Sequence, residues 1–139
     1  MATPFHVSEA ASLGLHAAAV IAGKGGEPVT ASSIADELGA SKAHLSKVLR
    51  KLAVAGLLRG STGPRGGFTL TKRPSDVTLI EIYEALEGRL ARTKCLFDLP
   101  VCEPDSCPLS RLLDEIDEHV VEGLSRTTLE DFRVPRKSN

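Results

Sequence analysis

The chain has 139 residues, 4% aromatic side chains and a formal net charge of −1 at pH 7, which sets the scale at one compact domain plus an extension, with Leu, Val, Ile and Ala filling the core. Three cysteines clustered within thirteen residues exclude a secreted disulfide framework. Residues 10–22 are apolar, but they fall short of the roughly 20 residues a bilayer span needs, and no Lys or Arg precedes Lys24 as in a signal peptide, so the protein is read as cytoplasmic. The near-neutral total also hides a division. Residues 30–74 hold eight Lys/Arg against two acids, +6, while residues 75–139 hold eight against fourteen, −6. A basic head of this kind concentrates near a polyanion and gains affinity by releasing its counterions, whereas a charge run alone is most often only a solvated surface.

Residues 7–22 repeat as a helix, with Leu13, Ala17, Val20 and Ile21 toward the core. Glu9, Ser12 and His16 share one polar stripe, either a solvated face or a face turned to a site elsewhere. Residues 23–28 form a Gly-rich loop without the lead-in strand or the Gly-Lys-Ser/Thr close of a phosphate cradle. Two short helices follow, 30–38 and 42–55. Thr30 is placed to cap the first, Gly39 to end it with φ > 0, and Ser41 to cap the second. Ile34, Leu38, Leu45, Val48, Leu49 and Leu52 give them a common core, and small Ala35 lets them cross closely. This is a helix-turn-helix whose second helix leaves Lys42, Ala43, His44, Ser46, Lys47 and Arg50 outward.

Residues 57–59 and 68–71 are β-prone runs separated by a loop with four glycines and Pro64, a hairpin signal that adds a wing with Arg65 at its tip. The predicted fold is thus mainly α with a small β-hairpin wing: a winged helix-turn-helix domain over 1–75, a connecting helix and cysteine loop over 76–107, a dimerisation helix over 108–126, and a C-terminal segment over 127–139. Asp76 is the expected cap of the connecting helix, 77–90, whose core face carries Leu79, Ile82, Tyr83, Leu86 and Leu90. Pro108 suits a first helical turn. Beyond it Leu109, Leu112, Leu113, Ile116, Val120, Val121 and Leu124 make an apolar stripe about five turns long, opposite Arg111, Asp114, Asp117, Glu118 and Glu122. Such a stripe either packs on its own domain or pairs with a second copy. A two-fold homodimer is the preferred expectation, because paired recognition helices match pseudo-palindromic half-sites ~34 Å apart on double-stranded DNA.

Within the reading head, Ser41, Lys42, His44, Ser46 and Lys47 fall where a recognition helix meets base edges, with His44 equally suited to a phosphate. Arg50, Arg59 and Lys72 suit phosphates, and Arg65 a narrow minor groove. Cys95, Cys102 and Cys107 put three soft ligands on one loop. Their gaps are wider than paired zinc spacing, so an iron–sulfur cluster, free thiols and a redox disulfide all stay open.

Together these pieces resemble the Rrf-two family of winged-helix transcriptional regulators, of the IscR, NsrR and CymR kind. The resemblance rests on Leu15-His16-Ala17, on Ile34-Ala35-Asp36-Glu37-Leu38-Gly39 with His44-Leu45-Ser46-Lys47-Val48-Leu49, and on Leu57-Leu58 leading to Pro64-Arg65-Gly66-Gly67-Phe68. It continues through Val77-Thr78-Leu79-Ile80-Glu81-Ile82, Ala85-Leu86-Glu87-Gly88, the three cysteines and Thr128-Leu129-Glu130-Asp131. It implies dimeric DNA binding and, as in the cluster-binding members, an iron–sulfur cluster on Cys95, Cys102 and Cys107, with 2Fe-2S expected ahead of 4Fe-4S. The family's fourth-ligand positions are Ser110 and Ser12 here, so Glu9, Ser12 and His16 are the candidates for that role. The expected function is a DNA-binding regulator sensing redox state, nitric oxide or iron–sulfur status. The alternative is a cluster-free regulator with structural or disulfide-forming cysteines. An enzyme or electron carrier ranks last, because no paired acid and base, nucleotide loop or cofactor fingerprint is present.

Overall fold

The computed structural model describes residues 7–90, 101 and 103–132. The elements run α1 (Glu9–Ala22), α2 (Ala31–Leu38), α3 (Lys42–Val54), β1 (Leu58–Ser61), β2 (Gly67–Leu70), α4 (Leu79–Glu87) and α5 (Pro108–Arg126), with short 3-10 turns at Pro74–Asp76 and Pro104–Ser106. Ile34, Leu45, Leu49, Leu52, Val77, Ile82 and Leu129 are almost fully buried in one cluster, to which α1 adds Ala17, Ala18, Val20 and Ile21. Gly14 has no side chain where α1 meets Leu86 of α4 and Val48 of α3, and this lets α1 cross both closely.

The hairpin pairs Leu58 with Leu70 and Ser61 with Gly67, so β1 begins one residue later than its apolar run and continues through Gly60. Val29 adds a bridge to the wing: its N–H donates to the Phe68 carbonyl at 3.0 Å, and the Phe68 N–H returns to the Val29 carbonyl at 2.8 Å. That bridge explains Gly67. Its φ is +150°, and a Cβ there would lie 2.7 Å from the backbone carbonyl carbon of Val29. Neither strain can be relieved by turning a side chain. Gly67→Ala is expected to destabilise the fold by about 2–3 kcal/mol in a urea melt, and a loss under about 0.5 kcal/mol, the range of ordinary surface changes, would contradict this account of the wing.

Helix α4 departs from the expected cap. Thr78, not Asp76, is the N-cap: its hydroxyl accepts from the Glu81 N–H at 3.4 Å while the Glu81 carboxylate accepts from the Thr78 N–H at 2.9 Å. This reciprocal box satisfies two helix-end donors at once. Asp76 ends the preceding 3-10 turn and pairs with Arg73 at 3.0 Å. Val77 and Ile82, at the staple positions either side of the cap, are both buried. Gly88, at φ +85°, stops the helix at Glu87, short of the expected Leu90.

After α5 the chain returns to the reading head. The Leu79 N–H donates to the Thr127 carbonyl at 2.9 Å and the Leu129 N–H to the Val77 carbonyl at 3.0 Å, forming a small antiparallel bridge between Thr78 and Thr128. Leu129 fills the core at 2% exposure. Residues 127–132 therefore form a clasp that ties the far end of α5 to the first half of the chain.

Helix α5 packs on α4, with Ser110 buried and Leu124 half-buried. Asp114 and Asp117 are half-buried, while Arg111, Glu118 and Glu122 face solvent as expected. The stripe is only partly covered by its own chain: Leu109 and Leu112 are 53% and 50% exposed.

Candidate nucleic-acid interface

The reading head is built by local capping chemistry. The Thr30 hydroxyl accepts from the Ser33 N–H at 3.1 Å, Gly39 closes α2 at φ +65°, and the Ser41 hydroxyl accepts from the His44 N–H at 3.4 Å to start α3. Burying Leu45, Val48, Leu49 and Leu52 fixes the rotation of α3. Lys42, Ala43, Lys47 and Arg50 then face solvent, with His44 and Ser46 half-buried on the two flanks. Ala43, absent from the charge-based selection, sits between the cations and offers the apolar surface that suits a thymine methyl.

Arg59 on β1 and Arg65 in the wing loop are exposed. Lys72 is exposed as well, but its ammonium lies 3.0 Å from the Glu81 carboxylate, so its charge is shared with the α4 cap. Burial works against the charge of Glu81. The Thr78 N–H, Lys72 and the Thr78 hydroxyl outweigh that burial and hold its carboxyl below the ordinary range. The cap thus contributes fully above the unfolded pKa and is lost as pH falls through the lowered folded one.

The other candidate residues lie on the first half of α1 and at the start of α5. Cys107 is the N-cap residue of α5 and half-buried; Cys95 and Cys102 lie outside the described residues. Among the described residues no three His, Cys, Asp or Glu side chains converge. A helix N-terminus favours an anion, and the thiolate is the metal-binding form of cysteine, so Cys107 is suitably placed as a ligand. Ser110 is buried at 4% exposure, and Asp114, one turn further on, has a buried Oδ1 with no hydrogen-bond partner among the described residues. Ser110 stands at a family fourth-ligand position, whereas the burial of Asp114 was not foreseen, because polar spacing alone does not reveal which side of α5 is covered.

The fourth-ligand candidates differ in their freedom. Nδ1 of His16 donates to the Ser12 carbonyl at 2.6 Å, and the ring meets Phe132 edge-on at 5.4 Å between centroids. Ser12 is half-buried. Glu9 is exposed and lies beside His44 of α3, with 3.8 Å between carboxylate and imidazole.

The fold is that of a winged helix-turn-helix protein. The chain belongs to the Rrf2 family: the family model, described as iron-dependent transcriptional regulator, matches residues 7–134. YwgB of Bacillus subtilis (strain 168), which carries the name of an HTH-type transcriptional regulator, is 36% identical over 92 residues, covering 65% of this chain and 59% of that protein. The chain therefore spans less than two thirds of YwgB's length. Among solved structures, CymR (YrzC), the global cysteine regulator of B. subtilis, matches with a TM-score of 0.77 at 29% identity, covering 91% of this chain and 95% of that one. IscR of T. potens matches with a TM-score of 0.73 at 27% identity, covering 92% and 85%. Among the described residues, no helix is long and apolar enough to cross a membrane.

Proposed function

We propose that the protein is a cytoplasmic, homodimeric regulator that reads a pseudo-palindromic operator and senses redox state, nitric oxide or iron–sulfur status through a cluster on Cys95, Cys102 and Cys107. The observation that carries the DNA reading is the outward face of α3, where Lys47 and Arg50 are exposed and, among the described residues, make no ion pair, together with the exposed Arg59 and Arg65 of the wing. Lys42, His44, Ser46 and Lys47, in the first two turns of a helix opened by Ser41, reach base edges, and Arg50, Arg59 and Lys72 position the duplex through phosphates. Arg65 enters the minor groove. Arg65→Ala is expected to reduce the slope of log affinity against log salt by about 1, measured by fluorescence anisotropy; an unchanged slope would remove Arg65 from the interface.

The sensing reading is supported by three cysteines within thirteen residues of sequence, the last of them at the start of α5, and by the family's description as iron-dependent. A bound cluster would supply a centre that oxidants and nitric oxide alter. This chain's own part is mechanical. Cys107 stands at the N-cap position of α5, the clasp holds the other end of the same helix, and α5 carries the dimer stripe, so a change at Cys107 is transmitted to the spacing of two recognition helices. Regulation then requires that the two states differ in operator affinity. Anaerobic purification with iron and sulfide analysis tests this directly. The expected result is a coloured, iron-bearing protein that loses iron in Cys107→Ala. A colourless, iron-free protein that still binds DNA would instead support the alternative, a cluster-free regulator whose cysteines are structural or form a disulfide.

A further inference from the structure

The first turn of the recognition helix has an acidic neighbour that its role as a DNA reader does not require. Ser8 caps α1 by accepting from the Ala11 N–H at 3.0 Å, and its hydroxyl donates to the Glu87 carboxylate, so the start of α1 is tied to the end of α4. Glu9 is the next residue. Its side chain is 87% exposed, yet its carboxylate stands 3.8 Å from Nδ1 of His44, whose own side chain is 38% exposed. That distance is too long for a hydrogen bond but within ion-pair reach. His44 lies on a flank of α3, between exposed Lys42 and Lys47.

We propose that Glu9 is a positioning residue for His44 that sets the protein's selectivity between operator and random duplex, an inference that rests on the DNA reading above. An imidazole in a basic first turn is drawn to the nearest phosphate, a contact that carries no sequence information. Glu9 offers the ring an anion from its own chain and turns the Nδ1 edge toward α1. The Nε2 edge is left for the groove, where a fixed donor or acceptor distinguishes bases. Without Glu9 the ring is released to the backbone, and sequence-independent affinity rises. Exposed charge pairs of this kind are weak, so the expected change is about fivefold.

The test is a double-mutant cycle on an operator selected by the native protein from randomised duplexes, with a scrambled duplex of equal length as the second ligand. Glu9→Gln is expected to bind the scrambled duplex about fivefold more tightly, lowering the operator-to-scrambled ratio, with its melting temperature unchanged. In the His44→Gln background the same Glu9→Gln change should be silent, because no imidazole remains to be released. Additive effects would show Glu9 acting as a bare charge and would overturn the proposal, as would an unchanged ratio in the single variant. A visible absorption spectrum altered by Glu9→Gln would place its effect at the cysteines and overturn it equally. Failure of the native protein to bind any duplex would sink the DNA reading itself, and it shows before any variant is compared.

Discussion

Leu109→Asp combined with Leu112→Asp is expected to yield a monomer whose operator affinity is lower by about 10²- to 10⁴-fold. Both side chains are half exposed on the described chain, so the substitutions leave the core intact and the melting of the winged unit near its native value. What they remove is the apolar surface on which a second α5 would lie. Two heads joined through that surface bind a palindrome as one ligand, the second engagement being intramolecular. Separate heads must each pay the entropy of association, which is where the lost affinity comes from. Sedimentation velocity reads the assembly, and anisotropy on whole and half operators reads the consequence. A variant that stays dimeric with full affinity would move the interface off the Leu109–Leu112 edge of α5.

Much of the reading head was legible because its determinants are local. Thr30, Gly39 and Ser41 act on neighbours within three or four residues, and the structure shows each in the expected role. Legibility failed where two local signals competed. Asp76 and Thr78 are both good caps, and Glu81, three residues after Thr78, decided for the latter through a box visible in the sequence. It failed more deeply where the determinant is tertiary. Nothing near Leu129 announces that it completes a core laid down by residues 17–86, because its partners reach it only after the chain has travelled the length of α5 and back. The edge-on seat of His16 against Phe132 and the approach of Glu9 to His44 are hidden from periodicity for the same reason. Charge partition identified the basic head correctly but not which cations are engaged, as Lys72 with Glu81 and Arg73 with Asp76 show.

Leu129→Ala is expected to cost about 2–5 kcal/mol of stability in a urea melt. Its side chain is 2% exposed and packs in the same cluster as Val77 and Ile82, so truncation leaves a cavity bounded by core side chains with little freedom to collapse. The loss has a second consequence that an interior residue such as Leu49 would not produce. Leu129 anchors the clasp, whose backbone is otherwise held by the bridge to Val77 and Leu79 and by Asp131, which accepts from the Thr128 N–H at 3.1 Å. Loosening it frees the end of α5 from the reading head. Hydrogen exchange should therefore accelerate at residues 127–131 and along the last turns of α5 before it does in α3, and Asp131→Ala should reproduce the local effect at smaller global cost. If Leu129→Ala instead destabilised every element uniformly, the clasp would be only one more piece of core. A selective release would show that Leu129 holds the end of α5 to the rest of the chain rather than merely filling the core.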